Sequence, residues 1–317
     1  MAELKNTFSW SFSAAEDFEQ CRRRRYWSKY ASWGGWSPSA PQESRIAYRL
    51  NKMDNVWGLM GQAAENAAVW LLRERQRGRS PSAEEAWEKA ARPFLTRKWN
   101  ESLSGAWRRD PKRVCCLREH YYGTLSDEKQ TKRDIADQVK RCIANFRERV
   151  LPRLAAVRPE QEIAVSTPEK GGEAEHFFYA DVKVYAIPDY AWREGKLLHI
   201  HDWKAGKAKE SHRLQLSIYA LWARIRHGFP PDRTFLYVEY LKDGKVFPFQ
   251  VSEEELQTTI ELMSDSVAAM TEYLVDGDRK RNEPLPKEEW ELTDDPRNCR
   301  QCNFYELCRP ELEAPPF

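Results

Sequence analysis

The chain has 317 residues, 41% of them hydrophobic and 32% charged, and its 51 Lys and Arg against 49 Asp and Glu leave a net charge of +2. That apolar content excludes a disordered or low-complexity protein, and the balance of charge argues against a uniformly basic nucleic-acid binder. No apolar run approaches the roughly 18 residues of a membrane helix, and Met1-Ala-Glu-Leu-Lys5 opens without an apolar leader, so a cytoplasmic protein with no membrane partner is expected.

In chain order, Ser13-Ala-Ala-Glu16 reads as a capping box opening a helix through about Tyr30. Within it Arg22, Arg23, Arg24 and Arg25 run beside Tyr26 and Trp27 with no acid among them. Cations grip phosphates and rings stack on bases, so this stripe is a candidate DNA-binding patch, against the plainer reading of a solvated helix face. A Gly/Pro/Ser-rich loop covers 33–41. Apolar periodicity then predicts helices at about 56–75 and 82–99, and a long one over 126–154, begun by Ser126 and closed near Pro152. Past that point short β-branched and aromatic runs predict strands at 163–166, 177–187 and 197–203. A helix over 211–227, a hairpin of 234–241 with 245–251 around Asp243-Gly244, and a helix capped by Ser252 and Glu255 follow. The order is helices first, then β-β-β-α-β-β-α: one α/β core with a large helical region before it.

The chemistry sits at strand ends. Asp202-Trp203-Lys204 closes an apolar strand, and Asp189 ends the strand before it, thirteen residues earlier. Paired antiparallel strands would set Asp189 beside Asp202. Paired carboxylates suit Mg²⁺ or Mn²⁺, which prefer oxygen ligands and acidify bound water. Lys204 projects on the same strand face as Asp202, where it can orient water and stabilise developing charge. The plainer reading is an exposed ion pair. On the next helix Gln215 and Tyr219 share a face at i and i+4.

Seven cysteines without a leader point to metal or free thiols rather than disulfides. Cys299, Cys302 and Cys308 form C-x₂-C-x₅-C and need a fourth ligand, for which Cys21 is the candidate. Four thiolates suit zinc or an iron–sulfur cluster alike, and either would tie together the two ends of the chain.

Taken in order, these pieces resemble the RecB-like branch of the PD-(D/E)XK nucleases, and within it the iron–sulfur members: the CRISPR-associated four-cysteine exonucleases and the nuclease domain of AddB. The pattern is a cysteine in an N-terminal helix, a helix with a histidine or acid, G-x-x-D, D-x-K, Q-x-x-x-Y and C-x₂-C-x₅-C. Here it reads Cys21, Glu65, Ala186-Ile-Pro-Asp189, Asp202-Trp-Lys204, Gln215-Leu-Ser-Ile-Tyr219, then Cys299, Cys302 and Cys308. The resemblance spans the chain and implies one nuclease domain over 1–317 with a restriction-endonuclease-like core, a mixed sheet flanked by helices, and 80–160 as a helical insertion. It implies Mg²⁺- or Mn²⁺-dependent DNA hydrolysis, on single strands or ends, exonucleolytic rather than endonucleolytic, with Glu65, Asp189 and Asp202 as metal ligands. Lys204 would position water, Gln215 and Tyr219 would support the site, and Cys21, Cys299, Cys302 and Cys308 would hold a structural [4Fe–4S] cluster. DNA repair, recombination or CRISPR-type processing, beside a helicase or integrase, is the expected setting. Two residues depart from the pattern: Glu65 stands where a histidine is common, and Ala186 replaces the usual glycine. Asp181-Val-Lys183 is a competing but incomplete D-x-K. The alternative is a catalytically silent DNA-binding or scaffold subunit of such a complex.

Overall fold

A computed structural model of the chain describes residues 5–165 and 174–312. A short strand β1 (Ser9–Ser11) leads into α1 (Phe12–Gln20), whose N-cap is Ser11, its hydroxyl accepting from the Ala14 N–H at 3.1 Å. The cap is two residues earlier than the capping-box pattern places it. Nor does one helix run to Tyr30. The backbone is extended at Cys21 (φ −167°, ψ 114°), and a second helix α2 (Arg22–Tyr26) starts there and widens into a π-helical turn over Trp27–Ala31. A helix start leaves N–H groups without partners; here the Arg23 N–H donates to the Glu291 carbonyl at 3.0 Å, stitching the two chain ends together.

Helices α3 (Gln42–Asn51) and α4 (Val56–Gln76) follow, α4 capped by Asn55. The expected helix over 82–99 is α5 (Ala83–Ala86) continued through a π-helical turn into α6 (Arg92–Ser104). A short α7 (Arg118–Tyr121) precedes α8 (Glu128–Asn145), which is capped by Asp127 rather than Ser126. The expected long helix loosens at Phe146 into a π-helical and then a 3₁₀ turn reaching Leu154. Helices α4, α5, α6 and α8 bury Leu59, Leu71, Trp87, Phe94, Val139 and Phe146 in one core, which reaches Tyr190 and Trp203 of the sheet.

The strands depart most from expectation. What reads as one strand over 177–187 is a hairpin, β3 (His176–Tyr179) and β4 (Val182–Tyr185), turned by Ala180 and Asp181 at positive φ. Two consecutive positive φ values give the turn the twist a two-residue hairpin needs. Strand β1 pairs with β4 in parallel, making a small sheet ordered β1-β4-β3. The larger sheet holds β2 (Glu162–Val165), β5 (Tyr190–Glu194), β6 (Leu197–Lys204), β7 (Thr234–Tyr240) and β8 (Lys245–Phe249), in that order. Ser166, the last residue of the first expected strand, lies outside the described residues. All neighbours in this sheet are antiparallel except β6 and β7, which α9 (Ser211–His227) connects. The expected hairpin around Gly244 and the capping box of Ser252 and Glu255 are both present, the latter opening α10 (Glu253–Thr271).

Alternation along β6 sorts its side chains between two layers. Leu198 and Ile200 join the core under α9 and α10, while Trp203 joins the core of the helical half. A mixed sheet flanked by helices on both faces is consistent with a restriction-endonuclease-like core.

Candidate active site and thiol pocket

The β5–β6 turn sets the first pair of acids. Gly195 sits at φ 58°, which a side chain rarely adopts, and the strands fold back so that Tyr190 faces His201. Asp189 therefore stands immediately before β5, not at the end of an earlier strand as the sequence suggests. Its Oδ2 accepts the Trp203 N–H at 2.5 Å, which ties the carboxylate to the strand that carries Asp202 and Lys204. Asp202 is 2% exposed and meets the Lys204 ammonium at 2.7 Å. Lys204 also donates to Gln215 Oε1 at 2.9 Å. Gln215 Nε2 in turn reaches the Tyr219 hydroxyl at 2.9 Å, and that hydroxyl donates to the Ile187 carbonyl at 3.0 Å, two residues before Asp189. One relay of hydrogen bonds runs from Lys204 of β6 through Gln215 and Tyr219 of α9 to the segment just before β5 that carries Asp189.

Glu65 approaches from α4. Burial raises the Asp189 carboxyl well above the usual carboxylate range, and the charges of Asp202 and Glu65 raise it further. Burial raises Asp202 too, with Lys204 opposing. Burial alone would lower the Lys204 ammonium, but Asp202 and Asp189 outweigh it, so Lys204 stays charged. Two buried aspartates beside one lysine, with the charge of Glu65 felt from α4, make an oxygen-only donor set. That suits a hard divalent cation. Among the described residues, no three His, Cys, Asp or Glu side chains are gathered closely enough to ligate a metal as they stand. The two aspartates are instead engaged with Lys204 and with the Trp203 N–H.

Two further residues near the lysine escaped the sequence reading. His212, three positions before Gln215 on α9, bonds the Tyr240 hydroxyl at 3.0 Å, and Tyr240 faces Lys204 across the β6–β7 pair. Burial and the charge of Lys204 push His212 down to about 4, so it is neutral at physiological pH. A helix position at i−3 from Gln215 was the available signal. Ala186, in place of glycine, is 1% exposed and packs into the core, so its methyl group fits. The competing Asp181 lies in the β3–β4 turn, on the small sheet, away from this set.

A family model for the PD-(D/E)XK nuclease superfamily matches residues 9–309. The chain belongs to the PD-(D/E)XK nuclease superfamily. A search of curated proteins gave no match. Superfamily membership makes this a nuclease fold, for which DNA is the implied substrate and Mg²⁺ or Mn²⁺ the typical metal.

At the joined chain ends, Cys21, Cys299, Cys302 and Cys308 line one pocket with Arg24, all four as free thiols. Cys299 is on α11 (Pro296–Arg300) and Cys308 ends α12 (Tyr305–Cys308). Cys21 lies in the extended break between helices, not inside a helix. Burial, with a smaller push from Cys21, raises Cys302 to about 12 and Cys308 to about 11. The Trp27 indole N–H points at Cys308 Sγ, 3.2 Å away. As they stand, these thiols form no metal-holding group among the described residues.

The arginine run is not the exposed stripe that the sequence predicts. Trp27 is fully buried and Arg23 is 4% exposed, its guanidinium donating to the Trp290 carbonyl and to Glu311, each at 2.7 Å. Arg25 is buried enough to lower its pKa and reaches the Ser9 carbonyl. Tyr26 packs on Trp27 and Trp290. Arg22 lies over the Phe18 ring, and Arg24 pairs with Asp17 at 2.8 Å. Of this run Arg24 lines the thiol pocket and Trp27 meets Cys308, while the other side chains are tied to Phe18, Ser9, Trp290 and Glu311. No helix of the described residues is long and apolar enough to cross a membrane.

Proposed function

We propose that the chain is an active Mg²⁺- or Mn²⁺-dependent DNA nuclease, with Asp189, Asp202 and Glu65 as the metal-holding acids and Lys204 orienting the attacking water. The observation that carries this reading is the convergence on Asp189: its carboxylate is fixed by the Trp203 N–H, beside Asp202, and feels the charge of Glu65 from another helix. A bound divalent cation would acidify a water and neutralise charge growing on the phosphate. Lys204 contributes a permanent positive charge at the same place. Gln215 fixes the lysine, and Tyr219 fixes Gln215. A silent scaffold would have no use for this relay: burying two acids destabilises a fold unless they bind something.

Single-stranded or end-bearing DNA is the proposed substrate, with exonucleolytic action. A [4Fe–4S] cluster held by Cys21, Cys299, Cys302 and Cys308 is the proposed clasp, with zinc as the alternative occupant. Four thiols from the two ends of the chain lining one pocket beside Arg24 support it. The test of function is cleavage of single-stranded DNA with Mg²⁺ or Mn²⁺, compared with Asp202→Ala.

A further inference from the structure

A groove with both rings and cations lies away from the paired acids. One wall is the Gly/Pro/Ser loop and α3, carrying Trp33, Trp36, Tyr48, Arg45 and Lys52; the other is the segment after α6, carrying Arg108, Arg109, Lys112 and Arg113. Its volume is about 860 Å³. Trp33 is 40% and Trp36 45% exposed, large hydrophobic rings left to solvent. They are not loosely held. Trp33 meets Trp36 edge-on at 5.1 Å, and Trp36 meets the buried Tyr48 at 5.7 Å. Gly35 between them is pressed so hard on α3 that a Cβ there would collide with the Ser44 carbonyl oxygen. The loop is thus built to present two rings.

Charge in the groove is one-sided. Seven cations line it against a single carboxylate, Asp110. Among the described residues only Arg113 of the seven is ion-paired, with Asp110 at 3.6 Å. Lys52 is held below its ordinary pKa by partial burial and then by the charge of Lys112, which shows repulsion within the wall. Such a wall matches a polyanion, and the exposed rings match a face that a paired base hides.

We propose that this groove binds a single nucleic-acid strand, its phosphates on the cations and its bases on Trp33 and Trp36. The proposal rests on the nuclease reading and narrows it to an unpaired strand. Lys52 of the groove follows α3 directly, and four residues later begins α4, the helix that carries Glu65, with Trp57 exposed on its first turn. Trp57 and Glu65 are eight residues apart on α4, or about 12 Å along its axis.

The test is anisotropy of a fluorescein-labelled oligothymidylate titrated with the full chain in EDTA, where binding proceeds without cleavage. Trp33→Ala with Trp36→Ala should weaken binding about tenfold or more, and Trp36→Phe should largely restore it. Arg109→Ala with Lys112→Ala, exposed changes that remove no ion pair, should lower the steepness of the salt dependence by about one unit per lost phosphate contact. Unchanged affinity and unchanged salt slope in folded variants would overturn the proposal, as would an equal loss on a blunt duplex. Cleavage by Lys204→Ala is scored separately: if wild type cleaves and Lys204→Ala does not, while the groove variants bind as wild type, the groove alone is refuted.

Discussion

Asp189 Oδ2 accepts the backbone N–H of Trp203 at 2.5 Å, and this one bond ties an acid from outside β5 to the strand that carries Asp202 and Lys204. Backbone N–H groups do not move with side-chain rotamers, so the carboxylate is held by the sheet itself. The acid pair is therefore a consequence of strand register, and a two-residue slip in β5 would abolish it.

Holding two buried acids should cost stability when no metal is present. Asp189 titrates above its unfolded value, so its proton is favoured in the fold; the stabilisation is complete below the unfolded pKa of about 3.9 and disappears as pH rises through the folded one. Asp189→Asn should raise Tm by a few degrees in EDTA at neutral pH, about 2–4 °C for each kcal/mol recovered. The advantage should shrink toward pH 4. Calorimetry of both proteins across pH checks this; an Asn variant less stable than wild type in EDTA at neutral pH would contradict it.

Gln215 touches Lys204 but no acid, so its contribution is to fix the lysine. Gln215→Ala should lower kcat by about 100-fold, the scale of a displaced catalytic group, with little change in KM. Tyr219→Phe keeps the ring and loses the bonds to Gln215 and Ile187, so a smaller fall is expected. Single-turnover and steady-state rates separate these outcomes, and a raised KM with kcat intact would contradict the relay.

Arg23 is part of the fold. Replacing a buried, doubly bonded guanidinium by alanine leaves the Trp290 carbonyl and Glu311 without their donor, so Arg23→Ala should cost about 2–4 kcal/mol. Urea unfolding measures it. The salt slope of DNA binding should stay the same. A stable Arg23→Ala with a flattened slope would return this residue to the phosphate contacts.

The thiol pocket should hold iron. Protein purified without oxygen should be brown with about four irons per chain, and Cys308→Ala should be colourless. Closing a loop of 278 residues, from Cys21 to Cys299, could stabilise the fold by up to about 5 kcal/mol, by analogy with disulfides. Colourless wild type with stoichiometric zinc would contradict the cluster and support zinc.

The sequence showed the acid–lysine set because D-x-K, Q-x-x-x-Y and the cysteine triplet are spacings, and spacing on a strand or helix fixes which face a residue shares. It hid what depends on distant partners. Cys21 reads as helical, yet the break there exists because the Glu291 carbonyl arrives to take the Arg23 N–H. Arg23 and Trp27 read as a surface patch because no local pattern announces that Trp290 and Glu311 engage the one and that Phe304 and Cys308 pack with the other. The β3–β4 turn was lost for a different reason: Ala180 and Asp181 are not the usual Asn-Gly of a two-residue hairpin.

The central claim is that Lys204, held between Asp202 and Gln215, serves phosphodiester hydrolysis. It is tested most directly by incubating a labelled single-stranded oligonucleotide with Mg²⁺ or Mn²⁺ and purified wild type or Lys204→Ala. The account expects cleavage by wild type that stops on chelation, and none above background from Lys204→Ala. Equal cleavage by both proteins, or none by a folded wild type with either metal, would contradict it.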